Sequence, residues 1–85
     1  MYTKQISNAF LLENSSFLAV FSYQTPVFFM DKKTQEKLIN RYSVTTSKHI
    51  GALTYLSAAD HIKNGAKEVP IEKITEKIDG LKLVF

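Results

Sequence analysis

Phe17-Leu18-Ala19-Val20-Phe21-Ser22-Tyr23, then Gln24-Thr25-Pro26, then Val27-Phe28-Phe29-Met30, is the stretch that decides how this chain folds. Its first part is aromatic and β-branched, and apolar on both alternating sets as far as Ser22. That pattern predicts a central strand covered on both faces over part of its length. Pro26 has no N–H to give to a ladder, so Gln24-Thr25-Pro26 predicts an edge, bend or bulge. Val27–Met30 then resumes extended structure.

Towards the N-terminus, Ala9–Leu12 is a short apolar run ending at the turn-prone Glu13-Asn14-Ser15-Ser16. Residues 1–8 carry one lysine and only a short apolar patch, unlike a signal peptide. No apolar run approaches the ~18 residues of a membrane helix. Towards the C-terminus, Asp31-Lys32-Lys33-Thr34-Gln35 has the length of a hairpin connection but lacks a glycine. Leu38–Tyr42 predicts a returning strand, with a helix over 32–41 as the competing reading because Lys, Gln and Glu are good helix formers.

Thr45, Thr46 and Ser47 are candidate N-caps for the next element. Ala52, Tyr55, Leu56, Ala59 and Ile62 then form a helical stripe, stopped by Asn64-Gly65. Gly51 near its start weakens that helix by about 1 kcal/mol relative to alanine. Pro70 suits the first turn of a second helix. Ile71, Ile74 and Ile78 share one face of it, Asp79-Gly80 ends it, and Leu81–Phe85 alternates as a final strand. The expected architecture is α+β over a single domain, residues 1–85: a small antiparallel sheet of three to four strands with two helices packed on one face. Aromatic residues at 17, 21, 23, 28 and 29 supply much of its core.

With 45% hydrophobic residues, four tyrosines and six phenylalanines, the 85-residue chain can fill one small core. It has no cysteine, so neither disulfides nor thiolate metal sites hold it together. Its net charge of +3 is unevenly spread. Lys32, Lys33, Lys37, Arg41 and Lys48 face only Glu36 within residues 32–49, whereas cations and carboxylates balance over residues 58–85. A basic middle segment suits nucleic acid or an acidic protein surface.

Within it, Arg41-Tyr42-Ser43-Val44-Thr45-Thr46-Ser47-Lys48-His49 combines hydroxyls, fixed cations and a histidine at a strand-to-helix junction. Such a junction presents backbone N–H groups, hydroxyl donors and positive charge together, as an anion requires. Carboxylates would normally occupy a first helical turn; here Lys48 and His49 stand in their place. The G-x-x-x-x-G-K-[ST] spacing of a nucleotide phosphate loop is absent. Tyr42 reads as a packing residue. His49 and His61, twelve residues apart, would lie about 120° from each other on a continuous helix and share no metal. Each reads as a surface or capping side chain.

Ser22-Tyr23-Gln24-Thr25-Pro26-Val27 and Tyr42-Ser43-Val44-Thr45-Thr46-Ser47-Lys48-His49 together resemble a family of small proteins of unknown function from bacteriophages, plasmids and bacteria. Its pattern is S-Y-x-T-x-V followed, after a hairpin, by Y-S-x-T-T-S-K-H. The resemblance spans residues 22–50. It implies a prokaryotic or phage cytosolic origin, no established chemistry, and one structural unit over residues 22–49. Small accessory phage proteins bind nucleic acids or host proteins, and several types inhibit host defences, including CRISPR effectors.

The resulting expectation is a non-enzymatic phage or mobile-element accessory protein of the bacterial cytoplasm, with no cofactor and no membrane partner. It would bind nucleic acid or another polyanion through Lys32, Lys33, Lys37, Arg41, Thr45, Thr46, Ser47, Lys48 and His49. The alternative is a protein–protein inhibitor or regulator of a host factor with an acidic surface. A third is a small ribonuclease-like enzyme using His49 or His61 as acid or base, with Lys48 and Arg41 stabilising charge. A homodimer through an open strand edge near Gln24-Thr25-Pro26 also remains open.

Overall fold

The chain lays down its sheet in the order in which it is written. The computed structural model describes residues 2–6, 8–41 and 43–82. Four consecutive antiparallel strands, β1 (Tyr2–Ile6), β2 (Ala9–Glu13), β3 (Phe17–Ser22) and β4 (Thr25–Asp31), form a meander, and β5 (Lys37–Ile39) adds a fifth. β6 (Lys67–Glu68) then pairs parallel to β5. Parallel neighbours require a crossover. Here α1 (Val44–Thr54) and α2 (Ala58–Lys63) supply it, and α3 (Ile71–Lys82) follows β6.

The α+β class therefore holds, but the sheet has six strands of mixed direction rather than three to four antiparallel ones, and three helices rather than two. The helices also divide between the two faces. Val20 and Phe28 point towards Ile50, Leu53 and Ala58 of α1 and α2. Their chain neighbours Ala19 and Phe29 point the other way, towards Ile74 and Ile78 of α3. This follows from the period-two geometry of strands whose both alternating sets are apolar: each set needs its own cover. Phe17 and Phe29 stack beneath α3 with ring centroids 5.8 Å apart.

Local chemistry explains the connections. The Asn14 carboxamide oxygen accepts from the N–H groups of Ser16 and Phe17 at 2.7 and 2.9 Å, making the turn between β2 and β3. Asp31 does the same for Lys33 and Thr34 at 2.8 and 3.2 Å, and Gln35 takes the left-handed position at φ 64° that a glycine would normally hold. The helix considered over 32–41 is not formed. Between β3 and β4 the loop is only Tyr23-Gln24, with φ 51° and 70°. Two positive φ values in a two-residue hairpin define a type I′ turn, which favours Asn-Gly. A tyrosine and a glutamine there are strained, at roughly 1 kcal/mol or more each. The ladder slips between Val20 and Phe21, so the bulge expected near Pro26 is present, with Pro26 opposite Phe21.

Further differences concern the helices. The stripe from Ala52 to Ile62 does not lie on one continuous helix. Tyr55 turns left-handed (φ 61°) and closes α1, and the Ser57 hydroxyl opens α2 by accepting from the Asp60 N–H. Gly51 sits late in α1 rather than near its start; an added Cβ would meet the Ser57 Cα at 3.8 Å, an ordinary contact, so the site has room for alanine. Gly65 (φ 105°) follows the α2 cap Asn64, as expected. α3 runs through Gly80 to Lys82 instead of stopping at Asp79, so Leu81 and Lys82 are helical rather than extended. Leu83–Phe85, the rest of the expected final strand, lie outside the described residues, as does Tyr42. No described helix is long and apolar enough to cross a membrane.

Candidate functional site

The N-cap of α1 is Ser43, not Thr45, Thr46 or Ser47. Its hydroxyl accepts from the Thr46 N–H at 3.0 Å, and the Ser43 carbonyl takes the Ser47 N–H at 3.1 Å. Such a cap contributes about 0.5–2 kcal/mol. The first turn is therefore Val44–Ser47, and Lys48 and His49 open the second. The unfavourable effect of cations on the helix dipole, strongest in the first turn, is correspondingly small for them. Thr46 is buried, with its hydroxyl 3.0 Å from that of Ser43, and cannot meet an external anion. The exposed Val44 and Thr45 keep backbone N–H groups with no partner among the described residues.

The basic segment separates into two groups. Lys32 and Lys33 lie in the turn after β4, at the far end of the sheet from Arg41, and Lys37 begins β5. Lys32 pairs with Glu13 at 2.6 Å, and Lys37 reaches the Asn64 carbonyl at 3.4 Å. Arg41 follows β5 and pairs with Glu68 at 2.6 Å. Lys33 and Lys48 have no carboxylate partner among the described residues. β5, three residues and about 10 Å long, keeps the two groups apart. What gathers at one end is Arg41, Ser43, Val44, Ser47 and Lys48. Arg41 borders three adjoining clefts of about 450, 470 and 370 Å³. One of them runs between α1 and α2, along Val44, Gly51, Ala52, Ala58 and Ala59.

His49 is not a plain surface residue. Its Nδ1 is 2.8 Å from the hydroxyl of the fully buried Ser22. Its ring lies 5.8 Å from that of Tyr23, so α1 is tied to the β3–β4 hairpin.

His61, unlike the half-buried His49, is buried, with its ring 4.4 Å from that of Phe28. Its Nε2 lies 2.8 Å from the Thr54 hydroxyl, which also has the carbonyls of Ile50 and Leu56 at 2.7 and 3.0 Å. One hydroxyl proton serves a carbonyl, so Nε2 carries the proton it gives to Thr54 Oγ1. Burial first, and then the Lys37 ammonium, push the His61 pKa below its ordinary 6.5, against the opposing pull of Asp60. The unfolded chain therefore binds the proton more readily, and this group's stabilisation is present above about pH 6.5. It is lost as pH falls through the depressed folded value. In paired urea titrations, the stability margin of wild type over His61→Gln, which keeps a donor but cannot titrate, is expected to shrink between pH 7.5 and 5. A margin constant across that range would refute the assignment.

Among the described residues no three His, Asp or Glu side chains form a metal-sized cluster. A family of unknown function, DUF8033, matches residues 2–74, and the chain belongs to it. That match reaches well beyond residues 22–50, taking in β1, β2, α2 and the start of α3. No curated protein and no solved structure matches the chain.

The residues that sequence reasoning passed over form a fourth concavity, of about 530 Å³. It is lined by Gln5, Asn8, Ala9, Phe10, Phe21, Tyr23 and Gln24. Phe10 and Phe21 are direct cross-strand partners with ring centroids 6.0 Å apart. The available signal was the Tyr23-Gln24 pair, an uncommon choice for a two-residue hairpin loop.

Proposed function

We propose that this protein is a non-enzymatic binder of nucleic acid, and that it engages the phosphate backbone where Arg41 and Lys48 border one cleft. The observation that carries this reading is the meeting of the Arg41-bordered clefts with the N–H donors of Val44 and Thr45 and with Lys48, which have no hydrogen-bond or carboxylate partner among the described residues. Phosphates favour such donors and the positive helix end. The Arg41–Glu68 pair is exposed and worth about 0–1 kcal/mol, so an incoming phosphate can displace the carboxylate at little cost. Lys32, Lys33 and Lys37 take a lesser part, since the sheet holds them away from this cleft. The non-enzymatic reading draws support from the histidines: His61 is buried under Phe28, and Nδ1 of His49 is engaged by Ser22.

Replacing Arg41 and Lys48 together by alanine tests the reading. Binding of an eight-nucleotide single strand is expected to weaken, and its slope of log affinity against log salt to shrink by about 1.4, near 0.7 per lost phosphate contact. Unchanged affinity and slope would remove nucleic acid from consideration. The second reading is a regulator that binds an acidic host protein, phage-encoded inhibitors of defence effectors included. It is favoured by the apolar floor of the α1–α2 cleft between Arg41 and Lys48. A partner captured from bacterial lysate that survives nuclease treatment supports it.

A further inference from the structure

The hairpin ends of the sheet carry the aromatic concavity, whose chemistry differs from that of the clefts around Arg41. Its floor is aromatic: Phe10 of β2 and Phe21 of β3, paired across the ladder on the α3 side of the sheet. α3 packs over the neighbouring Phe17, Ala19 and Phe29, and the Phe10 end of this face stays open. Its rim is uncharged and polar. Gln5, the cross-strand partner of Phe10, stands on one side, and Asn8 and Gln24 supply further carboxamides. Tyr23, 57% exposed, closes the end. The Tyr23 N–H donates to the Asn8 carbonyl at 2.8 Å, so the two turns that form the rim are fixed to each other.

An aromatic floor with a carboxamide rim and no charge matches a flat, uncharged heterocycle bearing both donors and acceptors. Bases stack on such side chains, and the carboxamides of Asn and Gln pair in two-point fashion with the adenine edge. At about 530 Å³ the cleft lies within the range of small-ligand sites. The turn supplies an independent argument. Tyr23 and Gln24 both occupy left-handed backbone conformations that Asn-Gly would hold without strain. Strained positions of this kind cluster at functional sites, and these two place their side chains on the rim.

We infer that this cleft binds a nucleobase, with Phe10 and Phe21 as the stacking floor and Gln5, Asn8 and Gln24 reading the base edge. Tyr23 lines this cleft and its ring lies 5.8 Å from that of His49, so the cleft's end adjoins α1, the helix that carries Lys48. An unpaired strand offers bases and phosphates to the two sites together, as on a smaller scale a mononucleotide does. That extension to a strand rests on the nucleic-acid reading; the base cleft itself does not.

The test uses the full chain and a Tyr23→Gly/Gln24→Gly variant, which suits the type I′ turn and removes both rim side chains. The probes are adenosine, guanosine, cytidine and uridine titrated by NMR, adenosine monophosphate, an eight-nucleotide adenine strand, and the same strand in duplex. Adenosine is expected to shift resonances of Phe10, Phe21 and Gln24. The variant is expected to keep or raise its thermal midpoint and to lose strand affinity by about 10-fold or more. Tighter binding of the strand, or equal binding of the monophosphate, each supports the cleft and tells which source supplies the base. Should the variant not fold, Gln5→Ala, at an exposed position, is read in the same assay. No shift with any of the four nucleosides, or shifts that persist unchanged in these variants, overturns the inference; full strand affinity in these variants removes the extension to a strand. Loss of strand binding in Arg41→Ala/Lys48→Ala alone would leave the phosphate reading standing without the base cleft. Nucleoside shifts without any strand affinity would do the reverse.

Discussion

Phe28→Ala is expected to destabilise the protein by about 3–5 kcal/mol, the usual cost of emptying a buried phenylalanine site. Phe28 is about 1% exposed at the centre of the cluster beneath α1 and α2, between Val20 and Ile39 on the neighbouring strands. A domain of this length has a total stability of roughly 4–13 kcal/mol, so the loss takes a large share of it. The same change uncovers His61, whose imidazole lies 4.4 Å from the Phe28 ring. Water admitted to that space removes the main cause of the depressed His61 pKa, which should move back up towards 6.5. Urea unfolding measures the first effect and NMR titration of the imidazole the second. A stability loss under about 1.5 kcal/mol would mean that Phe28 does not occupy the packed centre assigned to it.

Ile74→Asp is expected to be at least as damaging, by about 3 kcal/mol or more, through a mechanism on the opposite face. Ile74 is fully buried among Phe17, Phe29 and Leu38. A carboxylate there finds no cation in the cluster and must either remain charged without a partner or hold a proton at neutral pH. The exposed neighbour Lys73→Asp serves as control and should stay within about 1 kcal/mol of wild type. Thermal or urea unfolding of the pair decides whether α3 covers a face of its own. Equal, small effects at both positions would mean that the isoleucine stripe of α3 is not buried against the sheet.

That second face was the part of the fold least legible in the sequence. Both alternating sets of Phe17–Phe21 are apolar, which correctly signals a strand buried on both sides. An isoleucine stripe says that a helix packs, but not against which face, so both helices were assigned to one. β1 escaped notice because Thr3, Lys4 and Gln5 are polar; an edge strand with one neighbour carries little hydrophobic signal. The break at Tyr55 was hidden because the residues before and after it remain in helical phase, although Tyr55 itself is 81% exposed. There it lies under the Lys4 ammonium, 4.5 Å from its ring centroid, joining α1 to the edge strand.

Legibility of the candidate site was likewise partial. Arg41 and Lys48 line one cleft, whereas His49 turns to Ser22 and Tyr23. Lys32, Lys33 and Lys37 do not join Arg41 and Lys48, because a strand separates residues that composition had grouped. Thr46 looked like a hydroxyl donor and proved to be a buried part of the cap. The aromatic cleft could not be assembled from the sequence at all, since Gln5, Phe10, Phe21 and Gln24 meet only through cross-strand register.

The division of the sheet's two covers between segments that both follow it in the chain has a consequence on the ribosome. When β4 is complete, Val20 and Phe28 on one side and Phe17 and Phe29 on the other are already made, while no residue of α1, α2 or α3 exists. At synthesis rates of about 5–20 residues per second, the roughly fifty residues to the end of α3 take a few seconds. A meander of hairpins forms far faster than that, in about 1–10 μs per hairpin. For that interval the nascent chain is a sheet greasy on both sides with open edges at β1 and at β4 until β5 is added, and α3 is the lid that ends the exposure.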